Sequence, residues 1–168
     1  MAGTFLDIVS GVITQVSAVA SSAGAGDSGK IPKLDGSGKL DSTMMPTGVG
    51  ADTAAIECTE DLSAGDFVNV YDATGQKCRK ADATTTGKEC HGFVLSGYTS
   101  GQTATVYFEG TNTGVTSKTP GARQFLGTTA GAAVETAPSS SGNVVQQLGV
   151  AISATAISFE PQPAITLV

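Results

Sequence analysis

The side chains best suited to nucleophilic or metal chemistry are one histidine, His91, and three cysteines, Cys58, Cys78 and Cys90. A lone histidine excludes a metal centre that relies on several imidazoles. Cys78 follows Cys58 by 20 positions and Cys90 comes 12 later, with no C-x-x-C pair, so zinc and thioredoxin-like chemistry have no support. An odd count also argues against a disulfide framework, and the three are expected as buried thiols acting as small hydrophobes. Cys90 and His91 are neighbours, but adjacent residues on a strand point to opposite faces, which is poor geometry for a reactive pair.

Other constellations imitate known sites and fail in detail. Gly24 to Lys30 matches the G-x-x-x-x-G-K phosphate loop, but Ile31 stands where a magnesium-binding Ser or Thr is needed. Pro32 then forbids the interior of the helix that should follow. Gly26-Asp27-Ser28-Gly29 resembles a serine nucleophile loop without its following glycine, and His91 is its only possible base, in the wrong chain order. Asp35 to Lys39 has the flavour of a calcium loop, but Lys39 replaces an oxygen ligand. The carboxylates Asp52, Glu57, Glu60, Asp61 and Asp66 lie near turn signals and read as a solvated rim. Lys77, Arg79 and Lys80 form the one basic cluster, read as an edge strand guarded by charge or as a contact for an acidic partner. No catalytic residue, metal or cofactor is therefore expected.

The elements that must carry these residues follow from composition and periodicity. The 168 residues hold 15 Asp and Glu against 9 Lys and Arg, a net charge of −6, which lacks the basic footprint of a nucleic-acid binder. Only 14% of residues are charged and 22 are glycine, while 40% are hydrophobic. So uncharged a surface points to a chain that is covered by partners, with a core large enough to fold.

Three segments are expected: an N-terminal helix for self-association or docking over 1–22, a Gly-rich linker and extended arm over 23–53, and a β domain over 54–168. Phe5, Val9, Val12, Val16 and Val19 are spaced 4, 3, 4, 3, a heptad seam, and Thr4 with Asp7 resembles a capping box. A signal peptide is disfavoured because no Lys or Arg precedes Lys30 and Asp7 interrupts the apolar run. The run is also too short for a membrane span, which needs about 20 apolar residues.

From Ala54 onward, short alternating runs are separated by turn signals. Strands are expected at Ile56–Cys58, Phe67–Tyr71, Cys90–Leu95, Thr103–Phe108 and Gln147–Ile152, in a small sandwich or barrel. The region also echoes itself. Gly65, Gly75 and Ala81 recur 56 positions later as Gly121, Gly131 and Ala137, while Gly92 and Ser96 recur 57 later as Gly149 and Ser153. Val106, Phe108 and Glu109 find counterparts 51 later at Ile157, Phe159 and Glu160. Two similar β units burying each other's apolar faces would explain this, as would chance similarity between Gly-rich strands.

Two stretches carry a family resemblance. Gly29-Lys30-Ile31-Pro32-Lys33-Leu34-Asp35-Gly36-Ser37-Gly38-Lys39-Leu40-Asp41-Ser42-Thr43-Met44-Met45-Pro46 resembles the K-I-P-x-L-D-x-x-G-K-L-D-x-x-x-x-P connectors of tailed-phage fibre and head-decoration proteins. Gly121, Phe125-Leu126-Gly127, Gly131, Pro138, Gly142, Gln146 to Ala151 and Phe159-Glu160-Pro161 are similar to the β module that ends many of these virion proteins. The resemblance covers roughly half the chain. It implies a structural virion protein without catalytic residues that forms trimers projecting from capsid or fibre, and does not separate head from tail. Because 168 residues leave little room for the receptor-binding head of a typical fibre, the expectation is a homotrimer on the outer capsid surface that contacts the major capsid protein, with no nucleic acid and no membrane. A tail-associated fibre or adaptor module that binds a host surface is the alternative. The contact residues expected for self-association or capsid binding are Phe5, Val9, Val12, Val16, Val19, Ile31, Leu34, Leu40, Met44 and Met45.

Overall fold

The computed structural model describes residues 4–45 and 50–168, in two compact units, Met1–Gly50 and Ala51–Val168. The first unit opens with a β-hairpin where a helix was expected. Strand β1 (Thr4–Val9) pairs antiparallel with β2 (Val12–Ser17), from Thr4↔Ser17 to Val9↔Val12. The reason is local. Ser10 and Gly11 both take positive φ, 53° and 80°, the conformation of a two-residue type I′ turn, whose twist matches the flanking strands. Half of the fourteen residues around that turn are β-branched (Thr4, Ile8, Val9, Val12, Ile13, Thr14 and Val16), which favours strand over helix.

The arm that follows turns back on itself instead of running extended. Val19 and Pro32 form a parallel bridge, with the Val19 amide donating to the Ile31 carbonyl and the Lys33 amide to that of Val19. Two short 3₁₀ turns follow, at Ala25–Asp27 and Ser42–Met44, and the Asp41 side chain caps the second. Pro46, which closes the connector motif, lies outside the described residues.

The second unit is mainly β. Strands β3 (Thr53–Cys58), β4 (Phe67–Asp72), β5 (Gln76–Lys80), β6 (Gly92–Phe93) and β7 (Thr103–Tyr107) close into a barrel in the order β3-β5-β4-β6-β7. The remaining strands are β8 (Gly110–Asn112), β9 (Arg123–Leu126), β10 (Ala133–Val134), β11 (Val144–Val145), β12 (Gln147–Ser153), β13 (Ala156–Phe159) and β14 (Ile165–Thr166). Five of them form an open sheet, β10-β9-β12-β13-β8, and β11 pairs with β14. The expected runs at Ile56, Phe67, Thr103 and Gln147 all fall on strands. Of Cys90–Leu95, only Gly92–Phe93 is strand.

Shifted by the offsets of the sequence echo, β8, β9, β10, β12 and β13 fall beside β3, β4, β5, β6 and β7, and the sheet order β10-β9-β12-β13-β8 then repeats the barrel order β5-β4-β6-β7-β3. The sheet differs only in lacking the parallel closure that β3 and β5 supply. Loop hydrogen bonds repeat as well. Leu62 N–H donates to Tyr98 O as Lys118 does to Ala154, and Gly65 to Val94 as Gly121 does to Ala151. Likewise Asp66 donates to Ser63 as Ala122 does to Thr119, and Val94 to Asp66 as Ala151 does to Ala122. A Cβ on Gly92 would lie 2.6 Å from the Tyr107 carbonyl oxygen, and one on Gly149 would lie 1.9 Å from that of Ser158. The 57-residue spacing of Gly92 and Gly149 thus reflects a shared close approach of backbone to backbone.

Two apolar clusters hold the unit. Ile56, Cys58, Leu62, Val68, Cys78, Val94, Ala104 and Val106 fill the barrel. A second cluster joins barrel and sheet, with Phe67, Cys90 and Phe93 against Leu126, Leu148, Ile157 and Phe159. The Phe93 and Phe159 rings meet edge to face at 5.4 Å, a favoured aromatic geometry. Gln146 crosses this junction. Its Oε1 accepts the Cys90 amide at 2.7 Å, and its Nε2 donates to the Cys90 carbonyl at 2.9 Å.

Candidate interaction surface

The residues singled out for chemistry are committed to holding the fold. His91 is exposed while Cys90 is buried, so the neighbours do face opposite ways. The His91 Nδ1 accepts the Val70 amide at 3.0 Å. Cys90 donates to the Gly92 carbonyl, and burial pushes its thiol far above the ordinary range. In the phosphate-loop imitation, Lys30 Nζ lies 2.6 Å from Asp27, already paired with a carboxylate. The Asp35 carboxylate accepts the Ser37 and Lys39 amides, so that loop is a local turn. No group of three or more metal-ligating side chains occurs among the described residues.

The basic cluster does not guard an edge. β5 pairs with β4 on one side and β3 on the other. Lys77 meets Glu57 at 2.6 Å and Lys80 meets Asp66 at 3.4 Å. The Arg79 guanidinium bonds Asn69 and the Gly87 carbonyl and lies 4.1 Å above the centre of the Tyr71 ring. All three cations are thus engaged within the second unit.

A cleft of about 430 Å³ beside β10 is lined by Ser117, Lys118, Val134, Glu135 and Thr136. Its charged groups are also engaged with the backbone. Lys118 Nζ donates to the Ala133 carbonyl at 2.6 Å, and Glu135 accepts the Thr119 amide at 2.6 Å. That amide holds the Glu135 carboxyl below its usual range, and burial lowers the Lys118 ammonium. Lys118 sits where it blunts the free edge of the open sheet.

The large apolar side chains left exposed belong mostly to the first unit. The expected seam reappears on one face of the hairpin, since Phe5 pairs with Val16 and Val9 with Val12. Phe5 and Val12 are exposed and Val16 and Val19 half-buried, whereas the Val9 side chain lies outside the described residues. The opposite face, missed by helical spacing, is more open. Leu6 is 77% exposed, Ile8 70% and Ile13 68%, with Ile8 directly opposite Ile13. The signal for it was the pair of β-branched-rich runs on either side of Ser10-Gly11. In the arm Ile31, Leu34, Leu40 and Met45 are exposed, while Met44 is half-buried beside Val19 and Pro32.

A two-stranded hairpin on its own is marginally stable in water, and this one is apolar on both faces, with Asp7 its single charge. Contiguous exposed apolar side chains of this kind mark interaction sites. No helix among the described residues is long and apolar enough to cross a membrane. In comparisons with family models, curated proteins and solved structures, no match to this chain was found.

Proposed function

We propose that this chain is a capsid decoration protein of a tailed bacteriophage, a homotrimer that stabilises the shell by bridging capsid subunits from outside. The observation that carries the reading is the two-sided apolar hairpin, whose Leu6, Ile8, Val12 and Ile13 are each more than 60% exposed. A ribbon with two open apolar faces needs two coverings, and copies of itself together with a shell supply both. The connector from Gly29 to Pro46, similar to those of phage structural proteins, points to the same setting.

The mechanism is mechanical. Apolar surface transferred from water contributes about 25 cal/mol per Å², and full burial of one large aliphatic side chain stabilises by roughly 1.5–3 kcal/mol. Single contacts of this size are weak, but three linked copies act together through effective concentration. The finer architecture belongs to the same proposal: the body is a duplicated β unit, one copy closed and the other open. The repeated hydrogen bonds and strand order support it.

Purified protein mixed with undecorated phage capsids and pelleted is expected to bind saturably. Sedimentation equilibrium is expected to give three times the 16.7 kDa mass of one chain. A monomer that leaves the capsids bare would end the proposal.

A further inference from the structure

The barrel is closed by its one parallel contact, between β3 and β5, which has only two register pairs, Glu57↔Lys77 and Cys58↔Cys78. The first pair is tied by its 2.6 Å ion pair. The second consists of two free thiols, both fully buried in the barrel's apolar cluster. Neighbouring strands lie about 4.8 Å apart, and directly registered residues therefore fall within the roughly 4.4–6.8 Å Cα separation that a disulfide spans.

The surroundings of the two sulfurs differ. Cys58 Sγ lies 3.2 Å from the carbonyl oxygens of both Thr99 and Gln102, whose residues are exposed, so one loop separates it from water. Cys78 Sγ lies 3.8 Å from the Ile56 carbonyl oxygen, deeper in the barrel, and burial pushes its thiol up to about 11. Cys90 belongs to the other cluster, at the junction of barrel and sheet. Fifty-six positions on from Cys58 and Cys78 stand Gly114, just past β8, and Val134 in β10, so no second thiol pair occurs there.

We propose that Cys58 and Cys78 form an intrachain disulfide in the folded protein when it meets a peroxide, covalently closing the barrel seam. Cys58 sulfur attacks one oxygen of hydrogen peroxide and the O–O bond breaks. The departing hydroxide takes the thiol proton as water, leaving Cys58 as a sulfenic acid. Cys78 sulfur then attacks Cys58 Sγ, the S–O bond breaks, and the second hydroxide leaves as water with the Cys78 proton. Two thiols and one peroxide become one disulfide and two waters.

Trypsin cleavage after Lys39, Lys77, Arg79 and Lys88 places the three cysteines on separate peptides. The folded full chain is treated with hydrogen peroxide, its remaining thiols are alkylated in denaturant, and the digest is read by mass spectrometry. The expected product joins the Cys58 peptide to the Cys78 peptide and leaves Cys90 alkylated. The oxidised protein is expected to unfold several degrees higher, a gain that dithiothreitol reverses. The proposal is overturned if Cys58 and Cys78 are recovered alkylated, if they are oxidised to unlinked sulfinic acids, or if Cys90 enters the linkage.

Discussion

At the scale of single residues, buried polar groups are placed with little slack. Gln146 satisfies both backbone groups of Cys90 across 56 positions of sequence, inside the junction of barrel and sheet. Gln146→Ala would leave a buried amide and a buried carbonyl without partners, at about 1–3 kcal/mol for an orphaned group. A loss of about 3 kcal/mol is expected in urea unfolding of the full chain, without loss of the β signature in circular dichroism. Gln124 is different: its Nε2 reaches the Ala122 carbonyl while its buried Oε1 has no partner. Histidine and cysteine, the side chains with most chemical promise in the sequence, serve backbone geometry and packing. Burial of the three cysteines was expected from their type and number, whereas the role of His91 was not legible, because its partner is an amide 21 residues away.

At the scale of elements, the first unit depends on carboxylates that grip backbone amides. Asp27 accepts from Ala23 and pairs with Lys30, Asp35 accepts from Lys39 and Ser37, and Asp41 accepts from the Thr43 hydroxyl and amide. Each is held below the ordinary value of 3.8, with the amides of Ala23 and Lys39 and the Thr43 hydroxyl the largest respective causes. A carboxyl lowered on folding contributes stability that is complete above its unfolded value and is lost as pH falls through the folded one. The amide resonances of Ala23, Ser37, Lys39 and Thr43 are therefore expected to titrate with midpoints below pH 3.8, each following its own carboxyl. Transitions centred well above that value would contradict these bonds. The hairpin was legible in principle. The 4, 3, 4, 3 spacing of Phe5 to Val19 satisfies a helix, yet a two-residue turn at Ser10-Gly11 gathers Phe5, Val12 and Val16 on one face as well. β-branching and the paired positive φ values decide between the two.

At the scale of the whole molecule, the proposed assembly rests on apolar surface, because the principal cations are already paired or bonded. Leu6→Lys combined with Ile13→Lys puts two cations on the more open hairpin face and leaves the second unit untouched. The variant is expected to sediment as a monomer and to lose capsid binding, while the main thermal transition stays within a degree or two of the parent. A trimer that survives both substitutions would place self-association elsewhere on the chain.

The sequence by itself determined the β character of the body, the positions of several strands and the echo between its halves. Those properties depend on alternation, turn residues and glycine spacing, all read within a few positions. It also nominated most of the large apolar side chains that stand exposed in the first unit, though not Leu6, Ile8 or Ile13, since hydrophobicity is a property of residue types in order. Only tertiary structure decided that β3 meets β5, which sets Cys58 opposite Cys78, and that the five-stranded sheet stays open. It alone decided that Gln146 reaches Cys90. Register between distant strands arises from the joint packing of many side chains, and no local pattern encodes it.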